Sequence, residues 1–178
     1  MGLCVGLFGT CGGSQWRAKF IQTYTTSGIK FYNPQVDNWT PDCAQEEAEH
    51  LASDDIILFP VTDETPGLGS LAETGYSIIQ AIKANSNREF VIMIDSHTSE
   101  RCRNNWGNEL SIASDKARAL VKAHLKKICL PNLYVVDTLD QMLYASIRLY
   151  DICKLRQELR GVLTGDIMYG NNQGEVPR

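Results

Sequence analysis

The run Asp55-Ile56-Ile57-Leu58-Phe59-Pro60-Val61 is apolar and β-branched at successive positions, without the polar alternation of a strand that keeps one face in water. Such a strand is stable only when covered on both faces, the condition inside a parallel sheet flanked by two layers of helix. The next residues fit that setting. Pro66-Gly67-Leu68-Gly69-Ser70-Leu71-Ala72-Glu73-Thr74-Gly75 reads as a glycine-paired turn running into a helix that Glu73 opens, so strand, loop and helix succeed one another.

The alternation continues in both directions. Leu3 to Phe8 is a first strand; the glycine loop Gly9-Thr10-Cys11-Gly12-Gly13-Ser14 comes next, with Ser14 as N-cap of a helix from about Gln15 to Ser27. Lys30 to Asn33 is a short second strand, and the polar stretch from Pro34 to Pro41 leads to a helix beginning near Asp42. The helix after the glycine-paired turn continues through Tyr76, Ile79 and Ile82 to a turn at Asn85 to Asn87. Phe90 to Ile94 is the fourth strand, and Asp95 to Asn108, rich in Ser, Arg and Asn, reads as a long loop. A helix from about Leu110 to Lys127, the strand Leu133 to Val136 and a helix from Leu139 to Arg160 complete the series.

Five parallel strands with right-handed crossovers predict a three-layer α/β sandwich of order 2-1-3-4-5, with the switch point between the first and third strands. One domain over residues 1–160 is expected, with 161–178 as a tail or subunit-docking arm. A chain of 178 residues, 43% hydrophobic, buries a core without metals or disulfides. Its formal charge of −4 carries no basic footprint for nucleic acid, and no stretch is apolar enough to span a bilayer, so small molecules are the expected partners. Six cysteines without a CxxC pair, and an N-terminus without a signal-peptide pattern, point to a cytoplasmic setting. The three histidines lack metal-ligand spacing, so no metal and no cofactor are expected.

The loops after strands one, two and three converge at the switch point, which selects the candidate residues. Gly9, Thr10, Cys11 and Gly12 present backbone N–H groups at a helix start, suited to a phosphate or a sugar hydroxyl, although the loop is neither a Walker loop nor GxGxxG. Asp37 and Trp39 offer a carboxylate and a stacking face for a heterocycle. Gly69, Ser70 and Glu73 lie on the turn after strand three; by position alone Glu73 is equally a first-turn acid favoured by the helix dipole. Glu47 is a weaker candidate on the helix entering strand three, and Arg101, Arg103 and Asn104 either close over an anion or, as is more usual for a charged loop, are simply solvated.

Three blocks, Phe8-Gly9-Thr10-Cys11-Gly12 with Trp16-Arg17, then Tyr32-Asn33-Pro34 with Val36-Asp37-Asn38-Trp39-Thr40-Pro41, then Gly69-Ser70-Leu71-Ala72-Glu73, resemble the nucleoside 2-deoxyribosyltransferase-like family in order and spacing. The resemblance runs over roughly residues 3 to 94. It implies a flavodoxin-like, Rossmann-like fold and cleavage of an N-glycosidic bond in a nucleoside or nucleotide, with Glu73 as the nucleophile on the anomeric carbon. Asp37 is then the residue that protonates or orients the departing base, with Glu47 next. Family members pass the sugar to another base or to water, so transferase and hydrolase outcomes are both implied. The transferases carry an aspartate where this chain has Thr65 and Pro66, and a tyrosine where it has Leu7; Asp63 or Glu64 is the substitute carboxylate. The resemblance also implies a homo-oligomer in which a polar terminus completes a neighbour's site, here Asn171, Asn172 or the terminal carboxylate. An NAD glycohydrolase and a non-catalytic nucleotide-binding or sensing protein are the competing readings.

Overall fold

A computed structural model describes residues 2–38, 40–74 and 87–164 of the chain. Trp39, the stretch through Tyr76, Ile79 and Ile82, and the tail with Asn171 and Asn172 lie outside the described residues.

The elements are β1 (Val5–Leu7), α1 (Arg17–Ser27), β2 (Phe31–Tyr32), α2 (Pro41–Ser53), β3 (Ile56–Val61), α3 (Leu68–Glu73), β4 (Glu89–Ile94), α4 (Glu100–Trp106), α5 (Asn108–Leu125), β5 (Leu133–Val136) and α6 (Leu139–Thr164). Every described strand pair is parallel and the order is β2-β1-β3-β4-β5, the doubly wound arrangement of a flavodoxin-like fold. β3 sits in the middle, pairing Ile56 to Leu58 with β1 and its whole length with β4.

The unbroken apolar character of the central strands is explained by what each face meets. Ile56 and Leu58 of β3, with Val91 and Met93 of β4, pack under Trp16, Phe20 and Tyr24 of α1 and its start and Met142 and Leu149 of α6. The intervening Ile57, Phe59 and Val61, with Phe90, Ile92 and Ile94, pack under Leu71 of α3 and Leu125 of α5. Alternate side chains thus serve two cores, as the period-two geometry of a strand requires. Burying each such side chain is worth about 2 kcal/mol.

Local signals set most helix ends. Pro41 at the first position, Asp42 in the first turn and the Cys43 Sγ accepting from the Thr40 N–H at 3.5 Å start α2. Gly28, in the left-handed region, stops α1.

Four elements differ from the sequence expectation. The stretch 95–108 contains α4, capped by Ser99, whose side chain accepts from the Cys102 N–H; Cys102 itself is buried, and this single anchor lets a polar segment pack as a helix. α5 begins at Asn108, without a long loop between. α3 begins at Leu68, so Gly69 and Ser70 are helical and Glu73 lies more than a turn inside the helix instead of opening it. α6 continues through Thr164, past the expected end at Arg160. No helix among the described residues is long and apolar enough to cross a membrane.

Candidate active site

Because all strands run the same way, every β-to-α loop emerges at one edge of the sheet, and the loops after β1 and β3 lie side by side. Their joint is covalently simple and tightly bonded. The Thr10 N–H donates to the Pro60 carbonyl at 2.9 Å, and the Thr10 hydroxyl donates to the same oxygen while accepting from the Thr62 N–H at 2.9 Å. Gly9 has φ +88°, and a Cβ there would stand 2.4 Å from the Pro60 oxygen, so no other residue fits this approach.

Two buried arginines hold the loops from behind. Arg17, from the first turn of α1, donates through Nε to the Leu7 carbonyl at 2.9 Å and through Nη1 to the Thr10 carbonyl at 2.7 Å. The Trp16 Nε1–H joins it on the Thr10 carbonyl at 3.0 Å. Arg118, from α5, is fully buried and donates to the carbonyls of Val61, Thr62, Thr65 and Asp95 and to the Ser114 hydroxyl. Ser114 in turn donates to the Pro66 carbonyl at 2.7 Å. These bonds satisfy loop carbonyls that would otherwise be stranded away from water.

Gly67 then caps α3 with φ +61°, and the Leu71 N–H closes the first turn on the Gly67 carbonyl at 2.8 Å. The left-handed residue at 67 is why the helix starts there, one turn before Glu73.

Ser14 does not cap α1, whose N-cap is Trp16. Its hydroxyl donates to the Glu64 carboxylate, which also accepts from the Thr62 hydroxyl at 3.0 Å and reaches the Gln15 N–H at 3.5 Å. The anionic position at the start of α1 is therefore taken by a side chain of the protein itself.

Cys11 and Gly12 on one side, and Gly67, Gly69 and Ser70 on the other, line a cleft of about 280 Å³. Leu68, Trp106 and Leu110 supply an apolar wall, with Leu68 56% and Trp106 55% exposed. Gly69 faces open space, so its missing side chain leaves room instead of relieving a clash. A larger cavity of about 510 Å³ lies at the opposite edge of the sheet, among Asp55, Arg88, Glu89 and Arg156. Its lining includes the Arg156–Glu89 ion pair, and it is remote from the convergent loops, so size does not mark the site.

The acids of the site are coupled. Glu73 is open to solvent, yet desolvation by the surrounding protein raises its carboxyl pKa, and the negative charge of Glu47 raises it further. Glu47 is half-buried on α2, its pKa raised by desolvation and drawn back by the Arg17 guanidinium. Burial lowers the pKa of Arg17 itself, with Cys11 and Glu47 opposing that effect. Tyr32 at the end of β2 is pushed up to about 12 by burial and by the charges of Glu46 and Glu47.

Of the residues singled out in the sequence, Cys11, Gly12, Gly69 and Ser70 meet at one cleft, and Glu47 and Glu73 share one electrostatic field. Gly9 and Thr10 stand behind the cleft as scaffold. Asp37 is exposed, and its carboxylate makes no hydrogen bond or ion pair among the described residues. Trp39 lies outside them. The Arg103 guanidinium is paired with Asp115 of α5 at 2.7 Å. Sequence reasoning passed over Trp106, Leu68 and Arg118. Arg17, one turn beyond the glycine loop, carried a readable signal; Arg118, more than fifty residues from the loop it holds, carried none.

A doubly wound parallel sheet with its cleft at the switch between β1 and β3 defines a flavodoxin-like α/β domain. Residues 4–85 match the family described as nucleoside 2-deoxyribosyltransferase like. The matched segment contains the glycine loop, all of α2 with Glu47, and α3 with Glu73. The likeness supports a nucleoside-processing function for this part of the chain. No curated protein matches the chain.

Proposed function

We propose that the protein cleaves the N-glycosidic bond of a nucleoside, with Glu73 as nucleophile. The observation that carries this reading is the field shared by Glu47 and Glu73, two acids with raised pKa that both lie in the segment matching a nucleoside 2-deoxyribosyltransferase-like family.

In the proposed reaction a carboxylate oxygen of Glu73 forms an ester with the anomeric carbon as the carbon–nitrogen bond breaks. The bonding pair leaves on the base nitrogen, which takes a proton from an acid. Asp37, exposed beyond the end of β2, is the acid of this step, because Glu47 acts on Glu73 through the negative charge of its ionised carboxylate; Glu47 orients the base. A second base or a water then attacks the glycosyl ester and restores Glu73. The apolar wall of Leu68, Trp106 and Leu110 suits the flat face of a heterocycle. Glu64 at the start of α1 opposes a phosphate there, so an unphosphorylated sugar is the preferred substrate.

The test is chromatography with mass spectrometry of ribo- and deoxyribonucleosides, their monophosphates and NAD, each incubated with the protein and with Glu73→Gln, with and without adenine. Free base or an exchanged nucleoside, lost in the variant, is expected. Full recovery of every substrate would overturn the proposal, and recovery alongside tight retention would leave a binding protein.

A further inference from the structure

At the far end of α2, away from the cleft, the fold collects a second group of reactive side chains. We infer that Cys4, His50 and Asp54 form a binding site for a thiophilic divalent cation of the zinc class, a clamp between the start of β1 and the end of α2.

One ligand atom from each of these three residues lies within 4.8 Å of the others, and they are the one such group among the described residues. Thiolate, imidazole and carboxylate are the donor set that zinc takes, three protein ligands leaving a position for water. Together a thiolate and a carboxylate neutralise a dication, so the bound state buries no net charge. Binding forms the sulfur–metal bond as the Cys4 proton passes to buffer.

A separate observation points the same way. Asp54 is 3% exposed, yet its Oδ2 has no hydrogen-bond partner, an expensive arrangement for a carboxylate oxygen. The neighbouring cation does not relieve it. Arg88 donates to the main-chain carbonyls of Asp54 and Leu51 and leaves the carboxylate alone. Gly6 makes the space: a Cβ there would lie 2.8 Å from this same oxygen. The other ligands are already oriented. His50 Nδ1 is 2.9 Å from Asp54 Oδ1, and the imidazole is stacked flat on Tyr32, with ring centroids 3.6 Å apart and planes at 4°. Cys4 is buried with its thiol toward Asp54. His50 is 30% exposed, which gives a cation its way in.

The sequence does not announce this site, since Cys4 and His50 are separated by a strand, a helix and a second strand, and only His50 and Asp54 have a helical i,i+4 relation.

The experiment uses the full chain, stripped of metal by a chelator and titrated with Co²⁺ and then Zn²⁺. One equivalent of Co²⁺ is expected to produce a thiolate-to-cobalt charge-transfer band and tetrahedral visible bands, both displaced by Zn²⁺, with Zn²⁺ raising the melting temperature. His50→Ala is expected to weaken Co²⁺ binding by about 100-fold or more. Cys4→Ser should remove the charge-transfer band, while Cys11→Ser, Cys43→Ser and Cys129→Ser keep it. If Cys4→Ser does not fold, as judged by circular dichroism, His50→Ala, at a partly exposed position, decides. No band, a band that survives His50→Ala at full affinity, or one lost in a variant of the other cysteines would each overturn the site. None of these outcomes depends on nucleoside turnover.

Discussion

Desolvation raises the Glu73 carboxyl pKa, and the negative charge of Glu47 on α2 raises it again. For a glycosyl-transfer nucleophile the consequence is kinetic. The Glu73 carboxylate must be ionised to attack, so kcat/KM should rise with pH along a limb that lies above the ordinary carboxylate value of 4.5. Glu47→Gln, which removes the negative charge acting on Glu73, should move this limb to lower pH. A pH–rate profile unchanged by Glu47→Gln would break the link.

The same shift has a stability side, with its sign set by linkage. A carboxyl whose folded pKa is raised holds its proton more tightly in the folded state than in the unfolded chain, where it titrates near 4.5. The folded state therefore loses stability as pH rises from the unfolded value through the raised one. Glu73→Gln should melt higher than the native chain at neutral pH and converge with it below pH 4.5. A lower melting temperature at neutral pH would contradict the sign.

Arg118 donates to carbonyls from the ends of both β3 and β4, so it sets the shape of the β3–α3 loop more than any residue within that loop. Arg118→Met should cost about 4 kcal/mol, the scale of leaving several buried carbonyls unpaired. Urea denaturation measures it, and a loss under about 1 kcal/mol would show that other donors take over.

Gly67 and Gly69 are two residues apart and should respond oppositely. At Gly67, φ is +61° and an added Cβ would lie 2.8 Å from Val61 Cγ1 and 3.1 Å from Arg118 Nη2, so Gly67→Ala should destabilise by about 2 kcal/mol or more. Gly69 is helical and faces open space, so Gly69→Ala should be neutral or stabilising by up to about 1 kcal/mol while narrowing the cleft and raising KM. Equal stability changes in the two variants would refute this account of the turn.

Cys11 is exposed and lines the cleft, whereas Cys129 is exposed elsewhere. Alkylation followed by peptide mass spectrometry should show both modified in the free protein. A bound nucleoside should slow Cys11 at least several-fold and leave Cys129 unchanged. Equal rates with and without nucleoside would place the ligand away from this cleft.

Reading the chain in order recovers the five strands, their spacing and the doubly wound topology, because a fully buried strand must be apolar at successive positions and a helix must come after it to cover one face. Leu133–Val136 is met at both ends, and Ile56–Val61 within a residue. The glycine loop, Glu73 and Glu47 are legible because local composition and family resemblance mark them. Reading fails where a distant residue decides. Nothing near 95–108 reveals that Cys102 anchors a helix, and the position of Trp106 at the cleft depends on that helix. The start of α3 at Leu68 depends on Gly67 adopting a left-handed conformation beneath Arg118.

By itself, then, the chain determined its secondary-structure alternation and hence its sheet order, properties that depend on neighbours in sequence and on a face-by-face need for burial. Tertiary structure alone decided that Arg17 and Arg118 hold the loops, that Glu47 charges the surroundings of Glu73, and that Cys4 meets His50 and Asp54. Those relations join residues far apart in the chain, and their energies exist only once packing removes water and sets the distances over which charge and hydrogen bonds act.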